Sequence, residues 1–366
     1  MRRQFLSWRN RLLASPRFRR AAHRFPPTRW IARRQAREVF DVIAGFTYSQ
    51  ILLACVRLKL FDRLGDTPVT PAMLASPDSL SEQAWSDLLR AAESLDLVSD
   101  VGDGAYVAGM LGAVIANDPS LQAMVHHHEH LYRDLVDPVA LLRGEVTAAS
   151  LNQYWPYAGA EDIPENAASR YSELMAASQP MVAEQVIDAF DFKRFSTLMD
   201  VGGGNGAFLR AVAAAAPDLK LRLFDLPPVA ALANDAMSEA GLSERTEIHG
   251  GDFRRDALPP GADLISLVRI AHDHNDDTVL TLLGRIRDAL APGGTLLIAE
   301  PMAGTAQARR MGDAYFRVYL RAMGTGRPRT PEELGDLLRR SGFSSLQQHK
   351  TTIPMLARVL TARADT

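Results

Sequence analysis

The sequence predicts an α/β protein: a mainly parallel sheet, covered by helices on both faces, preceded by a smaller, mostly helical domain of winged-helix pattern. Three observations carry this. From about Phe192 onward, apolar runs of strand length alternate with helical stretches. From about Ala36 to about Ile115 the pattern is instead one of short helices closed by a hairpin. One strand, Thr197–Val201, breaks into the glycines Gly202, Gly203, Gly204 and Gly206 before a helix begins, a turn that lets a ligand approach main-chain atoms closely.

The elements follow in order. Residues 1–35 read as a basic arm, interleaved with Phe5, Trp8, Leu12, Leu13, Phe18, Phe25, Trp30 and Ile31 and broken at Pro16 and Pro26-Pro27. Val39 to Leu60 is apolar nearly all round, which predicts a buried helix, covered by a second subunit. Thr70-Pro71 opens a short helix and Trp85 to Leu95 forms another. Gly102-Asp103-Gly104, between Leu97-Val98 and Ala105-Tyr106-Val107, predicts the hairpin that completes a winged-helix-like domain over 36–118. Residues 119–188 read as a helical linker with aromatic interruptions, and 189–366 as the α/β domain. Its predicted strands are Thr197–Val201, Leu219–Phe224, Thr246–His249, Ala262–Leu267 and Gly294–Ala299. Its predicted helices are Ala207–Ala216, Pro228–Ala240, Asp276–Leu290 and Pro331–Ser341. The tail, Leu346–His349 and Met355–Thr361 around Pro354, reads as a closing antiparallel pair.

With 366 residues, 47 % apolar and 23 % charged, the composition is that of a folded globular protein, not a disordered or fibrous one. A single cysteine, Cys55, excludes a disulfide framework and a thiolate-rich metal site. Uninterrupted apolar runs such as Ile51 to Val56 are far shorter than a bilayer. The net charge of -2 hides an asymmetry: residues 1–40 hold 12 Arg and one acid, Glu38, a balance of +11, while the rest of the chain balances at -13. Arg2-Arg3-Gln4-Phe5-Leu6 superficially matches a twin-arginine export signal, but Arg9, Arg11, Arg17, Arg19 and Arg20 leave no apolar stretch behind it, so export is not expected. A nucleic-acid partner is not expected either. Thr70–Leu95, where a winged helix would read DNA, carries Asp78, Glu82, Asp87 and Glu93 against Arg90 alone.

Acids stand at the ends of three successive strands: Asp200, then Asp225 in Phe224-Asp225-Leu226-Pro227, then Asp252 in Gly250-Gly251-Asp252-Phe253. The second is placed for a ribose diol, and the third, with Phe253, for an adenine amine and ring. Three acids suit a cationic nucleoside without phosphates, since a pyrophosphate calls for a helix N-terminus. In His126-His127-His128-Glu129-His130 the first and last histidines have the i, i+4 spacing of a metal pair, but no third ligand accompanies them, and a polar helix face or pocket wall is the reading.

Asp200 to Gly206, Phe224 to Pro227, Gly251-Asp252-Phe253 and Ala271-His272-Asp273-His274 together resemble the class I S-adenosylmethionine-dependent O-methyltransferases of the plant caffeate and flavonoid type. The likeness spans about residues 36–366. Within that group, Tyr132 to Pro138, Tyr154-Trp155-Pro156-Tyr157, Leu174 to Pro180 and Met323 to Thr330 resemble the bacterial hydroxycarotenoid enzymes of the demethylspheroidene type, whose basic arm is also similar.

The resemblance implies a Rossmann-like sheet that binds S-adenosylmethionine and releases S-adenosylhomocysteine, without metal. It implies a homodimer formed through 36–118, a substrate-pocket region over 119–188 and a catalytic domain over 189–366. Around the cofactor it places Gly202, Gly204, Asp225, Leu226, Asp252, Phe253, Arg269 and Ser178. His272 matches the general base, with Asp273 beside it, and Glu300 matches a carboxylate that hydrogen-bonds the histidine. A histidine is well poised to accept a proton near neutrality, and a carboxylate fixes its tautomer. Met175, Tyr154, Trp155, Met302, Phe316, Tyr319 and Met323 would wall a long apolar substrate, and Tyr157 and Tyr315 would suit it too.

The chain departs from the plant pattern twice: Pro328 stands where a second glutamate is usual, and His274 where a tryptophan is usual. The implied reaction is O-methylation of an apolar substrate, the tertiary hydroxyl of an acyclic 1-hydroxycarotenoid. Such an alcohol, with a pKa near water's ~16, is out of reach of a histidine near ~6.5, so proton removal has to be concerted with methyl transfer. The alternatives are a phenolic or polyketide substrate, or a winged-helix nucleic-acid-binding regulator. The resemblance and the arm together imply a cytoplasmic protein in peripheral contact with the inner or photosynthetic membrane.

Overall fold

The computed structural model describes residues 1–65, 67–76, 80–146, 149–154, 178–306 and 308–365. The chain folds as two compact units, Met1–Asp118 and Pro119–Thr366.

Prolines set the layout of the first unit. Pro16 and Pro26 each sit in the first turn of a helix, where a missing N–H costs nothing. The residues expected to break the arm therefore start its helices, and the arm runs Arg2–Ala14, Pro16–Arg24 and Pro26–Arg57. The third helix continues through the expected boundary at 35/36. It stops at Arg57, and Leu60–Arg63 follows as a separate turn after Lys59, whose φ is 53°. Its burial is confined to its C-terminal end: Leu53, Cys55 and Val56 are buried, whereas Val39, Phe40, Val42, Ile43 and Phe46 are exposed. By length and composition alone this helix is apolar enough to cross a bilayer, contrary to the expectation from uninterrupted runs. Uncharged Thr47, Ser49 and Gln50 interrupt those runs without adding charge. Thr70 caps Pro71–Leu74 by accepting the Met73 N–H, and Ser81 caps Glu82–Glu93 by accepting the Ala84 N–H. The second of these helices buries Trp85, Leu89 and Ala92. β1 (Val98–Gly102) and β2 (Ala105–Ala108) pair antiparallel as the expected hairpin.

The second unit is built on a seven-stranded sheet of β3 (Thr197–Val201), β4 (Lys220–Asp225), β5 (Thr246–Gly250), β6 (Ala262–Val268), β7 (Leu290–Glu300), β8 (Phe343–His349) and β9 (Arg358–Ala364). Their order is β5-β4-β3-β6-β7-β9-β8. β3 to β7 are parallel, and β9 runs antiparallel between β7 and β8. Both faces are covered. Helices Asp276–Ala289 and Pro331–Arg340 pack Leu282, Ile286, Leu334 and Leu338 against Ile265, Leu296 and Ile298. On the other face, Val186 of the helix over 178–189, Leu209 and Val212 of Ala207–Ala215, and Ala233 of Pro227–Glu239 meet Leu198, Leu221 and Leu264. Buried on both sides, β6 is apolar except at Asp263 and Ser266 rather than alternating.

A smaller core joins Leu131, Leu141 and Leu151 to Tyr319, Leu320 and Met323, from helices Pro119–Asp134, Pro138–Arg143, Ser150–Tyr154 and Phe316–Met323. Asp134 ties it together, accepting the N–H groups of Ser150 and Leu151 at 2.6 and 2.9 Å. The chain steps outward from β3 to β4 and β5, then returns to β6 on the other side of β3. That reversal opens a crevice at the carboxyl ends of the strands.

Candidate active site

The crevice begins at the glycine turn after β3. Gly202, Gly204 and Gly206 have φ of 74°, 60° and 77°, a region that glycine enters without strain. A Cβ on Gly202 would also lie 2.4 Å from the Ile270 side chain. Asp225, closing β4, locks this turn: its carboxylate accepts the Gly204 N–H at 2.8 Å and the Leu226 N–H at 2.7 Å. Desolvation outweighs both bonds and raises its pKa to about 6. Asp200 does not join it. One residue short of the strand end, it faces its β6 register partner Ser266 and accepts that hydroxyl at 2.6 Å. Of the three strand-end acids, Asp225 and Asp252 line the cavity.

Asp252 and Phe253 follow β5. The Asp252 carboxylate is gripped by Arg254, with Nε at 2.9 and 3.0 Å and Nη2 at 2.8 Å. Burial works against its charge, but Arg254 holds it below the usual carboxylate range. Phe253 meets His274 edge-on, with centroids 5.3 Å apart. Arg269, at φ 59° just past β6, donates to Ser178 Oγ at 2.8 Å. Leu226 and Ser178 line the same cavity as the glycines.

His272, Asp273 and Glu300 come together, with the hydrogen bond to Glu300 made by the histidine's backbone and its ring facing Asp273. All three are buried, Glu300 completely. The imidazole Nε2 lies 3.1 Å from Asp273 Oδ1. Glu300 Oε2 instead accepts the backbone N–H of His272 at 3.0 Å. The register explains this: Val268 of β6 pairs with Ala299 of β7, which brings Glu300 level with the backbone of the loop after β6. His272 Nδ1 and Glu300 Oε1 are buried without a hydrogen-bond partner among the described residues. Burial pushes the His272 pKa down, but Asp273 and then Glu300 more than offset it, so the group ends above its ordinary 6.5. Burial raises the Glu300 carboxyl. Phe316 stacks on the imidazole at 5.8 Å.

One residue was not singled out from sequence. Arg329 is fully buried, and its guanidinium spans the His272 loop. Nη1 donates to the Ala271 carbonyl at 2.7 Å, Nη2 to the His274 carbonyl at 2.8 Å, and Nε and Nη2 to Asp276 at 2.9 and 2.7 Å. At Gly326 an added Cβ would lie 2.4 Å from the His272 carbonyl oxygen. The segment 326–329 thus forms a close-fitting floor under the loop. The signal available in sequence was Gly324-Thr325-Gly326 leading into Arg327 and Arg329: small residues for close approach beside long donors.

A cavity of about 220 Å³ joins the glycine turn and His272 to an apolar wall that includes Met124, Phe316, Tyr319 and Met323. Met302 is elsewhere, buried in the sheet core with Leu334. Tyr154 closes the short helix Ser150–Tyr154, while Trp155, Tyr157 and Met175 lie outside the described residues. The histidine run serves the wall. His127 Nε2 meets the Tyr319 hydroxyl at 2.8 Å and His128 Nε2 the Tyr315 hydroxyl at 2.6 Å, while His130 meets Ser150 at 2.8 Å. Burial, then the neighbouring histidines, lower the His127 pKa to about 4, so it is neutral near pH 7. Among the described residues, no three metal-ligating side chains converge. Tyr315 ends a π-helical turn, Arg310–Tyr315, an irregularity common beside functional sites.

Residues 132–344 match the O-methyltransferase domain family. The chain is 45 % identical over 355 residues to demethylspheroidene O-methyltransferase of Cereibacter sphaeroides, covering 96 % of this chain and 93 % of that one. It is 40 % identical over 354 residues to the protein of the same name from Rhodobacter capsulatus, covering 96 % and 88 %. Its fold is similar to that of human N-acetylserotonin methyltransferase, solved in complex with SAM, with a TM-score of 0.71, 27 % identity and coverage of 91 % and 98 %. The family match takes in the glycine turn, the His272 loop and the Phe316, Tyr319 and Met323 part of the apolar wall, and the chain belongs to the O-methyltransferase domain family.

Proposed function

We propose that this chain methylates the tertiary hydroxyl of an acyclic 1-hydroxycarotenoid, in spheroidene-type carotenoid biosynthesis, with S-adenosylmethionine as donor. The observation that carries the proposal is one cavity in which a nucleoside cradle, a buried histidine–carboxylate pair and an aromatic wall are continuous. The cradle fits the donor. Gly202 and Gly204, at positive φ, turn the backbone along the cavity, Asp225 is a desolvated acceptor, and Asp252 and Phe253 face the same space. Gly202, Gly204, Asp225, Leu226, Asp252, Phe253, Arg269 and Ser178 would hold it. When bound, its sulfonium supplies an electrophilic methyl group.

The chain's own work is alignment and proton removal. The wall around Phe316, Tyr319 and Met323 seats the apolar body and excludes water. His127 and His128 take up two tyrosine hydroxyls and leave the rings to face the substrate. His272 would take the hydroxyl proton, and Asp273 would stabilise the resulting imidazolium. The active species is a homodimer through residues 36–118. Supplying the purified protein and S-adenosylmethionine with a hydroxycarotenoid, a catechol and an anthracycline tests the reading. Mass spectrometry is expected to show one added methyl on the carotenoid. Preferential methylation of either phenol would replace the substrate assignment.

A further inference from the structure

The methyl-transfer chemistry leaves the arm without a role. Residues 1–40 set 12 arginines against one acid, Glu38, which Arg34 already engages at 2.8 Å. The helices Arg2–Ala14 and Pro16–Arg24 bury none of their residues. Among the arginines, Phe5, Trp8, Phe18, Phe25, Trp30 and Ile31 stand 40 to 62 % exposed. Phe5 and Trp8, one helical turn apart, bring their rings within 6.1 Å. The arm therefore shows water both a dense cationic field and a set of large apolar side chains, which ordinary surfaces disperse.

A phospholipid surface answers both. Guanidinium groups pair with phosphate oxygens, and Trp and Phe settle at headgroup depth. A second copy of the arm would bring +11 against +11. The same basic-aromatic mixture can hold single-stranded nucleic acid, but rings used for base stacking need no aliphatic partners. Here Leu6, Leu12, Leu13 and Ile31 accompany them.

We propose that residues 2–31 dock this protein peripherally onto an anionic phospholipid bilayer, arginines against phosphates and aromatic rings at the interface. The inference goes beyond the proposed reaction. It rests on that reading only for its motive, since a carotenoid resides in lipid, and docking is measured without turnover.

The experiment is co-sedimentation of the full-length protein with vesicles of phosphatidylcholine, alone or with about 30 % of the anionic lipid phosphatidylglycerol, which gives the surface a negative potential. The protein should partition into anionic vesicles at least about tenfold more than into neutral ones, and lose that preference as salt shortens the Debye length. A variant with Arg3, Arg9, Arg17 and Arg20 changed to Glu should lose binding about tenfold or more. Trp8→Ala with Trp30→Ala should weaken it while keeping its salt dependence. Both variants alter exposed residues and should keep S-adenosylmethionine affinity, which verifies the fold. Equal pelleting of the charge-reversed and parent proteins overturns the proposal. So does no binding to anionic vesicles, or capture of single-stranded RNA in preference to them. Pelleting that resists carbonate at high pH also overturns it, since Pro26–Arg57 would then be spanning the bilayer.

Discussion

Asp273, not Glu300, faces the imidazole of His272: its Oδ1 lies 3.1 Å from Nε2, while Glu300 accepts that residue's backbone N–H at 3.0 Å. The two carboxylates divide the task. One sets the electrostatics of the ring and the other sets where the ring's backbone sits. His272→Ala should lower turnover by roughly 10²–10⁴ while leaving cofactor affinity near normal.

The pH profile separates the two carboxylates. A protonated imidazole cannot accept the substrate proton. Activity should therefore fall as pH drops through a His272 pKa lying above its ordinary 6.5. Asp273→Asn removes the largest of the influences that raise it, so the acid limb of kcat/KM should move to lower pH as turnover falls. Glu300→Gln should move the limb less. An unshifted limb in the Asp273 variant would show that this carboxylate does not govern the ring.

Asp225 makes donor binding pH-dependent in its own way. Its folded pKa of about 6 lies above the ordinary 3.8, because desolvation disfavours the charged form. Between those values the free protein carries a neutral carboxyl where a solvated one would be charged. Affinity for S-adenosylmethionine should therefore weaken as pH falls through about 6. Asp225→Ala should weaken it at pH 7.5 by about 10–100-fold, the worth of hydrogen bonds to a charged acceptor. Calorimetry at pH 5.5 and 7.5 checks both, and an affinity flat with pH would remove the titration from the account.

What was legible in the sequence was local. β3 and the glycine turn announce themselves, because a buried strand stands out as an apolar run broken only by Asp200 and glycine enters the left-handed region without strain. Asp225 and His272 follow, since one closes β4 and the other lies in the short turn just past β6. What failed depends on register and on distant segments. Asp200 looks like a strand-end acid, yet pleating turns it toward Ser266. Met302 looks like pocket wall two residues past β7, but it turns back into the core beside Leu334. Arg329 was invisible because its partners, Ala271, His274 and Asp276, lie more than fifty residues earlier.

Arg329 carries the fourth expectation. Arg329→Ala takes this donor from the Ala271 and His274 carbonyls and leaves Asp276 to Arg327 alone, a loss of about 3 kcal/mol of stability. Arg329→Lys should recover part of it, because one ammonium cannot reproduce the planar fork. Turnover per folded molecule should fall in both, with S-adenosylmethionine affinity held by the Asp225 side of the cavity. Urea denaturation and kinetics on the same samples decide it. Lost stability with intact turnover would reduce Arg329 to a structural brace.

The last expectation concerns assembly. On Pro26–Arg57, Val39, Ile43 and Phe46 follow i, i+4, i+7 spacing, one stripe along one face, and are 61, 65 and 73 % exposed. Covering a side chain of this kind fully is worth about 1.5–3 kcal/mol, so a stripe of three is costly to leave in water. Charge argues for a like partner at this point along the helix. Arginines crowd its first turns, but from Val39 to Val56 the one charged residue is Asp41, so two copies can meet there without the repulsion their arms would feel. Light scattering at micromolar concentration should give a dimer mass. Ile43→Glu with Phe46→Glu should give a monomer that still binds S-adenosylmethionine, because the donor cradle lies wholly in the second unit. A parent protein that is already monomeric would leave the stripe without its second copy and remove the dimer from the proposed function.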